Sequence, residues 1–185
     1  MGAETTNALY FLITTLFDLF MGALLLRVLL QYVRADFYNP LSQLVWKLTN
    51  PVVMPLNRVL PKRAKVDVAG LVALFIVAMI YVMLVGWVFG TSISLPKVPW
   101  YALLKFLVLT VNLYSLTLFI HAIISWVGSG VNNPAANVLF SLNEPLLRRV
   151  RRFIPPVSGL DLSPLAVILA LQVVNRLIPL PFLFR

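Results

Sequence analysis

Eight polar side chains interrupt stretches that are otherwise apolar: Asp18, Arg27, Gln31, His121, Ser125, Gln172, Asn175 and Arg176. Such groups can relay protons, line an ion path or anchor a partner helix, and a charge at membrane depth is a functional candidate by default. Their spacing narrows the choice. Arg27 and Gln31 are four residues apart and share a helix face, as do His121 and Ser125, and Gln172 and Arg176. The first two pairs are predicted to point into a helix bundle. Arg27 can snorkel toward one membrane surface and Arg176 toward the other. Asp18 and Arg27 are nine apart, about 180° around a helix, so they should not pair with each other. Enzyme chemistry is the weakest class, because no nucleophile–base set or paired carboxylates occur. With no cysteine and a single histidine, disulfides, thiolate catalysis and multi-histidine metal sites are excluded. No cofactor is implied.

The elements that must hold these groups follow from composition. The chain has 185 residues, is 61% hydrophobic and only 11% charged, with a mean hydropathy of +0.93. A soluble domain carries about 25% charged residues, and a disordered chain is far less apolar. Bare backbone cannot face lipid, so spans must be helices of roughly 20 apolar residues or strands of a closed barrel. These runs are continuously apolar and do not alternate, which argues against a barrel. Four transmembrane helices are predicted, over about residues 8–33, 68–89, 103–127 and 162–181. The first is read as a retained helix and not a signal peptide: it lacks a basic leader, Asp18 breaks its apolar core, and no small-residue cleavage pattern follows.

Basic residues gather in two connections. Arg34, Lys47, Arg58, Lys62, Arg63 and Lys65 lie between the first two spans; Arg148, Arg149, Arg151 and Arg152 lie between the last two. Between the second and third spans, only Lys97 precedes Lys105 at the next helix start. Lysine and arginine bias orients spans, so the rich connections should be cytoplasmic and both chain ends periplasmic in a multi-pass inner-membrane protein. The net charge of +9 then faces anionic phospholipid. Nucleic acid fits poorly, because these arginines sit among large apolar residues.

The two halves align without gaps at an offset of 94. Asn39-Pro40 falls on Asn133-Pro134, Pro51 on Pro145, Arg58 on Arg152, Pro61 on Pro155 and Asp67 on Asp161. The sequence therefore predicts an all-α protein of two tandem repeats, residues 1–95 and 96–185. Each repeat crosses the membrane twice, so the copies should be parallel, related by a pseudo-twofold along the membrane normal. Asn39 and Pro40 suit the start of a loop helix, with Leu41, Leu44, Val45 and Leu48 on one side; Ala135, Val138, Leu139 and Leu142 are the second set. A second short helix is predicted after Pro51 and after Pro145. There Leu146, Leu147, Val150, Phe153 and Ile154 form one arc and the four arginines the other. Short amphipathic helices lying in the headgroup layer account for this pattern; a partly re-entrant hairpin is the rival. Asp67 and Asp161, the latter followed by Ser163 and Pro164, should cap the second helix of each repeat and pair with Arg58 and Arg152.

These residues resemble the YggT family of small integral membrane proteins. The second copy shows the pattern best: Asn133-Pro134, Asn143-Glu144-Pro145, Arg151-Arg152, Ile154-Pro155 and Gly159-Leu160-Asp161-Leu162-Ser163-Pro164. The first carries Arg27, Asn39-Pro40, Thr49-Asn50-Pro51, Pro55, Arg58, Pro61 and Asp67. The likeness covers about residues 16–178. The copies depart from it in complementary ways, with His121 in place of the late-helix arginine and Asn143 in place of the threonine. The resemblance implies no catalytic activity and a membrane-organising role, in envelope or osmotic tolerance, division, or assembly of membrane complexes. The resulting expectation is a scaffold or assembly factor, possible as a homo-oligomer, that binds anionic phospholipid and other membrane proteins through Arg58, Lys62, Arg63, Arg148, Arg149, Arg151 and Arg152. The alternative is an ion or solute channel formed by an oligomer, with Arg27 or His121 on its path.

Overall fold

The computed structural model describes residues 3–61, 65–127, 134–155 and 161–185. The described residues form six α-helices: α1 (Ala3–Tyr32), α2 (Pro40–Leu56), α3 (Val68–Val88), α4 (Val98–Val127), α5 (Pro134–Val150) and α6 (Ser163–Leu177). Three of them, α1, α3 and α4, are long and apolar enough to cross a membrane. Their apolar residues surround the helix instead of forming a stripe, as lipid on one side and protein on the other require. The protein is all-α and largely membrane-spanning.

The fourth apolar segment differs from its expected extent. α6 has 15 residues, about 22 Å at 1.5 Å per residue, against a hydrocarbon core of about 30 Å. Ile178 already has extended backbone, because the ring of Pro179 disfavours helix at the residue before it. The chain then runs through Pro179 and Pro181 into a 3-10 turn, Phe182–Phe184.

The first three helices pack as one unit and the last three as another, joined chiefly by α3 against α4. The main core draws on α1, α3 and α4 around Met21, Leu25, Leu74, Tyr81, Val85 and Ala102. Small residues Ala69, Gly70, Ala73 and Ala78 on α3 let neighbouring backbones approach.

The loop helices are not the broken pairs expected from their prolines. α2 continues through Pro51 and Pro55, and α5 through Pro145. All three prolines are exposed, so the carbonyls they leave unpaired are not trapped inside, and packing along the opposite face holds each helix together. Of the apolar side read from the sequence, the packing face of α2 shares only Val45. α2 buries Ser42, Val45, Thr49 and Val53, whereas Leu44 and Leu48 are exposed. In a bilayer the apolar side belongs to lipid, and a polar side is free to seek partners in the bundle. α2 rests on α1 and α3, α5 on α4 and α6, and the two loop helices touch each other.

Candidate functional site

An aspartate before each unit's last helix organises a polar cluster. Asp67 caps α3 by accepting the Gly70 N–H at 2.8 Å, an acceptor that exposed amides and the helix dipole both favour. Its other oxygen accepts from Arg27 Nε at 2.6 Å. Arg27 Nη1 donates to Thr49 Oγ1 at 3.0 Å and Asn50 Oδ1 at 2.8 Å, and its Cζ lies 3.7 Å from the centroid of the Trp46 ring. This corrects the snorkelling reading: the side chain is 1% exposed and turned onto α2 and the mouth of α3. The guanidinium fork can serve several acceptors at once, which water at the membrane surface would otherwise have to supply. A cavity of about 380 Å³ opens beside it, lined among others by Gln31, Trp46, Met54, Asn57 and Asp67.

In the second unit Asp161 Oδ1 accepts the Ser163 N–H at 2.9 Å, and Pro164 falls in the first turn of α6. Leu162 occupies the cap position itself. Asp161 Oδ2 accepts from Arg151 Nε at 2.8 Å, and Arg151 Nη1 donates to Glu144 Oε2 at 2.8 Å. Trp126 Nε1 donates to the Asp161 carbonyl at 3.3 Å. Burial alone would raise the Asp161 carboxyl; the Ser163 amide and the Arg151 guanidinium outweigh it and hold the group below its ordinary range. Burial works against the charge on Arg151 too, and its bonds to Asp161 and Glu144 overcome that.

The expected partners of the two aspartates are therefore replaced. Asp67 takes Arg27, not Arg58, and Asp161 takes Arg151, not Arg152; Arg58 and Arg152 are exposed. Arg27 reaches Asp67 from α1, which packs on α3, and Arg151 reaches Asp161 from the turn that follows α5. Arg151 consequently leaves the exposed set, which among the described basic residues of the two connections comprises Arg34, Lys47, Arg58, Lys65, Arg148, Arg149 and Arg152. Lys62, Arg63 and Asn133 lie outside the described residues.

Asn39 caps α2 through Leu41 N–H, and its Nδ2 donates to the Pro134 carbonyl, tying the start of α2 to that of α5. Pro40 and Pro134 are the first residues of those helices. His121 is buried against the edge of Phe140, with ring centroids 4.5 Å apart, but Ser125 is exposed, so the face they share is only half turned inward. Thr117 donates to Asn143 Oδ1 at 2.9 Å. At the far end, Gln172 donates to Ser115 at 3.2 Å and Asn175 to Asn112 at 2.8 Å, while Arg176 is exposed.

One membrane charge escaped the sequence reading. Lys105 Nζ lies 2.7 Å from Asp18 Oδ1 and 4.6 Å from the centroid of the Tyr81 ring. α4 begins at Val98 rather than near 103, which carries Lys105 two turns into the span. Asp18, turned away from Arg27, already required a cation on another helix. Among the described residues no three metal-ligating side chains cluster.

Comparison with known proteins matches this repeated geometry. The CCB3/YggT family model matches residues 6–88 and again residues 100–182, the same offset of 94 at both ends. The YggT protein of Escherichia coli (strain K12) is 39% identical over 170 residues, 91% of this chain and 88% of that one. A protein named for its place in the proC 3′ region of Vibrio alginolyticus is 38% identical over 173 residues, 92% and 93% of the two chains. The YlmG homolog protein 2, chloroplastic, of Arabidopsis thaliana is 40% identical over 62 residues, 33% of this chain and 24% of that one. No solved structure matches significantly. Two tandem matches that cover most of the chain, and relatives alike over nearly their whole length, show that this protein belongs to the CCB3/YggT family.

Proposed function

We propose that the protein is a non-enzymatic scaffold or assembly factor of the inner membrane that holds anionic phospholipid and membrane-protein partners on two basic ledges, α2 and α5. In this reading α6 and the stretch behind it make a fourth crossing, and the two units run parallel. The ledges face the cytoplasm and both chain ends the periplasm. The lysine and arginine bias of the connections supports that orientation.

One observation carries the proposal. Lys47, Arg58, Arg148, Arg149 and Arg152 are exposed, and none makes an ion pair among the described residues. The helices that bear them or lead into them are nevertheless fixed to the spans by buried polar clusters. Val59 and Phe153, also strongly exposed, stand beside them. Rigid cations next to apolar side chains suit a layer of phosphates above acyl chains.

The test replaces Arg148, Arg149 and Arg152 with glutamine and leaves Arg151 on its carboxylates. Each cation near an anionic surface contributes about 1 kcal/mol, so preference for phosphatidylglycerol in nanodiscs should fall up to about a hundredfold. An unchanged preference in the inserted variant would overturn the lipid reading. Site-specific crosslinking from these positions in native membranes reads the partner half: a discrete membrane-protein adduct supports it, and lipid adducts alone refute it.

A further inference from the structure

The two units fill one seat in different ways. At the offset of 94, Asp67 maps onto Asp161 and Asn50 onto Glu144, and in each unit those two side chains accept from one guanidinium. In the first unit the cation comes from the span, as Arg27. In the second it comes from the loop, as Arg151, whose own counterpart is Asn57. The span position is taken by His121, the only histidine in the chain.

His121 is placed to respond to that seat. It is 5% exposed, and the charged groups acting on it are Arg151 from the end of α5, Asp161 at the mouth of α6 and Glu144 on α5. Its Nδ1 and the nearby ledge's Asn143 Nδ2 are buried without a hydrogen-bond partner among the described residues. Asn143 stands where Thr49 receives Arg27 in the first unit. The polar groups of the first unit's cation site are thus repeated, with a titratable base where the permanent cation sits.

We propose that His121 and Arg151 compete for Asp161: protonated His121 takes the carboxylate from the span, as Arg27 does in the first unit, and Arg151 is released to the phosphate layer. Arg151 keeps its own proton throughout, and the proton His121 gains comes from water. With His121 neutral, the group His121, Glu144, Asp161 and Arg151 carries a charge of −1. After the exchange the carboxylates and protonated His121 again carry −1, so the buried charge is conserved while one cation is delivered to the surface. The lipid consequence rests on the ledge reading above; the exchange itself does not.

The experiment uses the whole chain in nanodiscs and the guanidinium Nε–H resonance of Arg151, assigned by its disappearance in Arg151→Lys. In wild type the resonance should be protected from water exchange at pH 7.5 and exposed at pH 5.5, against the general slowing of base-catalysed exchange in acid. His121→Asn should keep it protected at both pH values, and His121→Arg should expose it at both. Protection that does not change with pH in wild type overturns the proposal, as does loss of protection in acid that persists in His121→Asn. The wild-type titration and His121→Asn decide the matter even where His121→Arg fails to fold. Preference for phosphatidylglycerol over phosphatidylcholine should rise about fivefold in acid as one cation reaches the surface. Arg151 released without that rise refutes the ledge reading and leaves the exchange standing; the rise without release refutes the exchange.

Discussion

Replacing Asp67 with asparagine isolates the charge in the first unit's cluster. Asparagine caps a helix about as well as aspartate, so the Gly70 N–H keeps an acceptor and the loss falls on Arg27. That side chain is buried and cannot turn to water without leaving Thr49, Asn50 and Trp46. Stripping one partner from a buried pair costs roughly 3–5 kcal/mol. Arg27→Met should cost a similar amount, since it leaves Asp67 with its charge and a single donor. The double variant removes both charges and should cost no more than the worse single, a coupling of about 3 kcal/mol. Unfolding in dodecylmaltoside micelles titrated with dodecyl sulfate, followed by circular dichroism, measures all four corners of the cycle. Arg151→Gln is the control. Its side chain is 30% exposed, water can replace its partners, and the cost should be about 1 kcal/mol. A cost below about 1 kcal/mol for Asp67→Asn, or strict additivity in the double variant, would refute the claim that the buried pair holds the ledge to the spans.

Gly70→Ala should act through the same pair. An added Cβ would lie 2.8 Å from Asp67 Cγ and Oδ2, and Asp67 cannot yield while it holds Arg27, so about 1–3 kcal/mol should be lost in the same titration. Acid should weaken the second unit. The folded Asp161 carboxyl lies below its ordinary value, so its contribution is complete above that value, about pH 3.9, and is lost as pH falls through the folded one. Wild type should lose stability more steeply than Asp161→Asn below about pH 4, and parallel curves would contradict this. Lys105→Met should destabilise more than the double variant Lys105→Met/Asp18→Leu, because the single leaves Asp18 charged and 39% exposed at membrane depth; the comparison is read by the same unfolding assay. Asn39→Ala removes a cap worth about 1 kcal/mol and the bond to Pro134, so amide exchange should quicken in the first turn of α2.

What could be read in the sequence was what repeats or what lipid dictates. Long uncharged runs can only be spans, and prolines, asparagines and aspartates in one register disclosed the duplication before any contact was known. The capping role of Asp67 is local, set by a carboxylate one turn from an amide, and needed no tertiary information. The identity of its cation did need it. Arg27 is 40 residues from Asp67 and closer in sequence to other acceptors, and only the packing of α1 on α3 brings them together. The packing face of α2 needed it too: the sequence marked an apolar side for the membrane, and only the arrangement of α1 and α3 selects Ser42, Val45, Thr49 and Val53 for burial. Pro51 and Pro145 were read as breaks because local propensity was weighed without the packing that overrides it.

The chain's last residues close against its first helix: Tyr10 Oη donates to the Leu183 carbonyl across 173 positions, and Leu180 and Phe184 are part of the main core. During synthesis at about 5–20 residues per second, roughly 9–35 s separate the making of these two partners. Until Leu183 emerges Tyr10 lacks that acceptor, although Phe89 already packs edge-on with its ring, so α1 reaches its final surroundings in at least two stages.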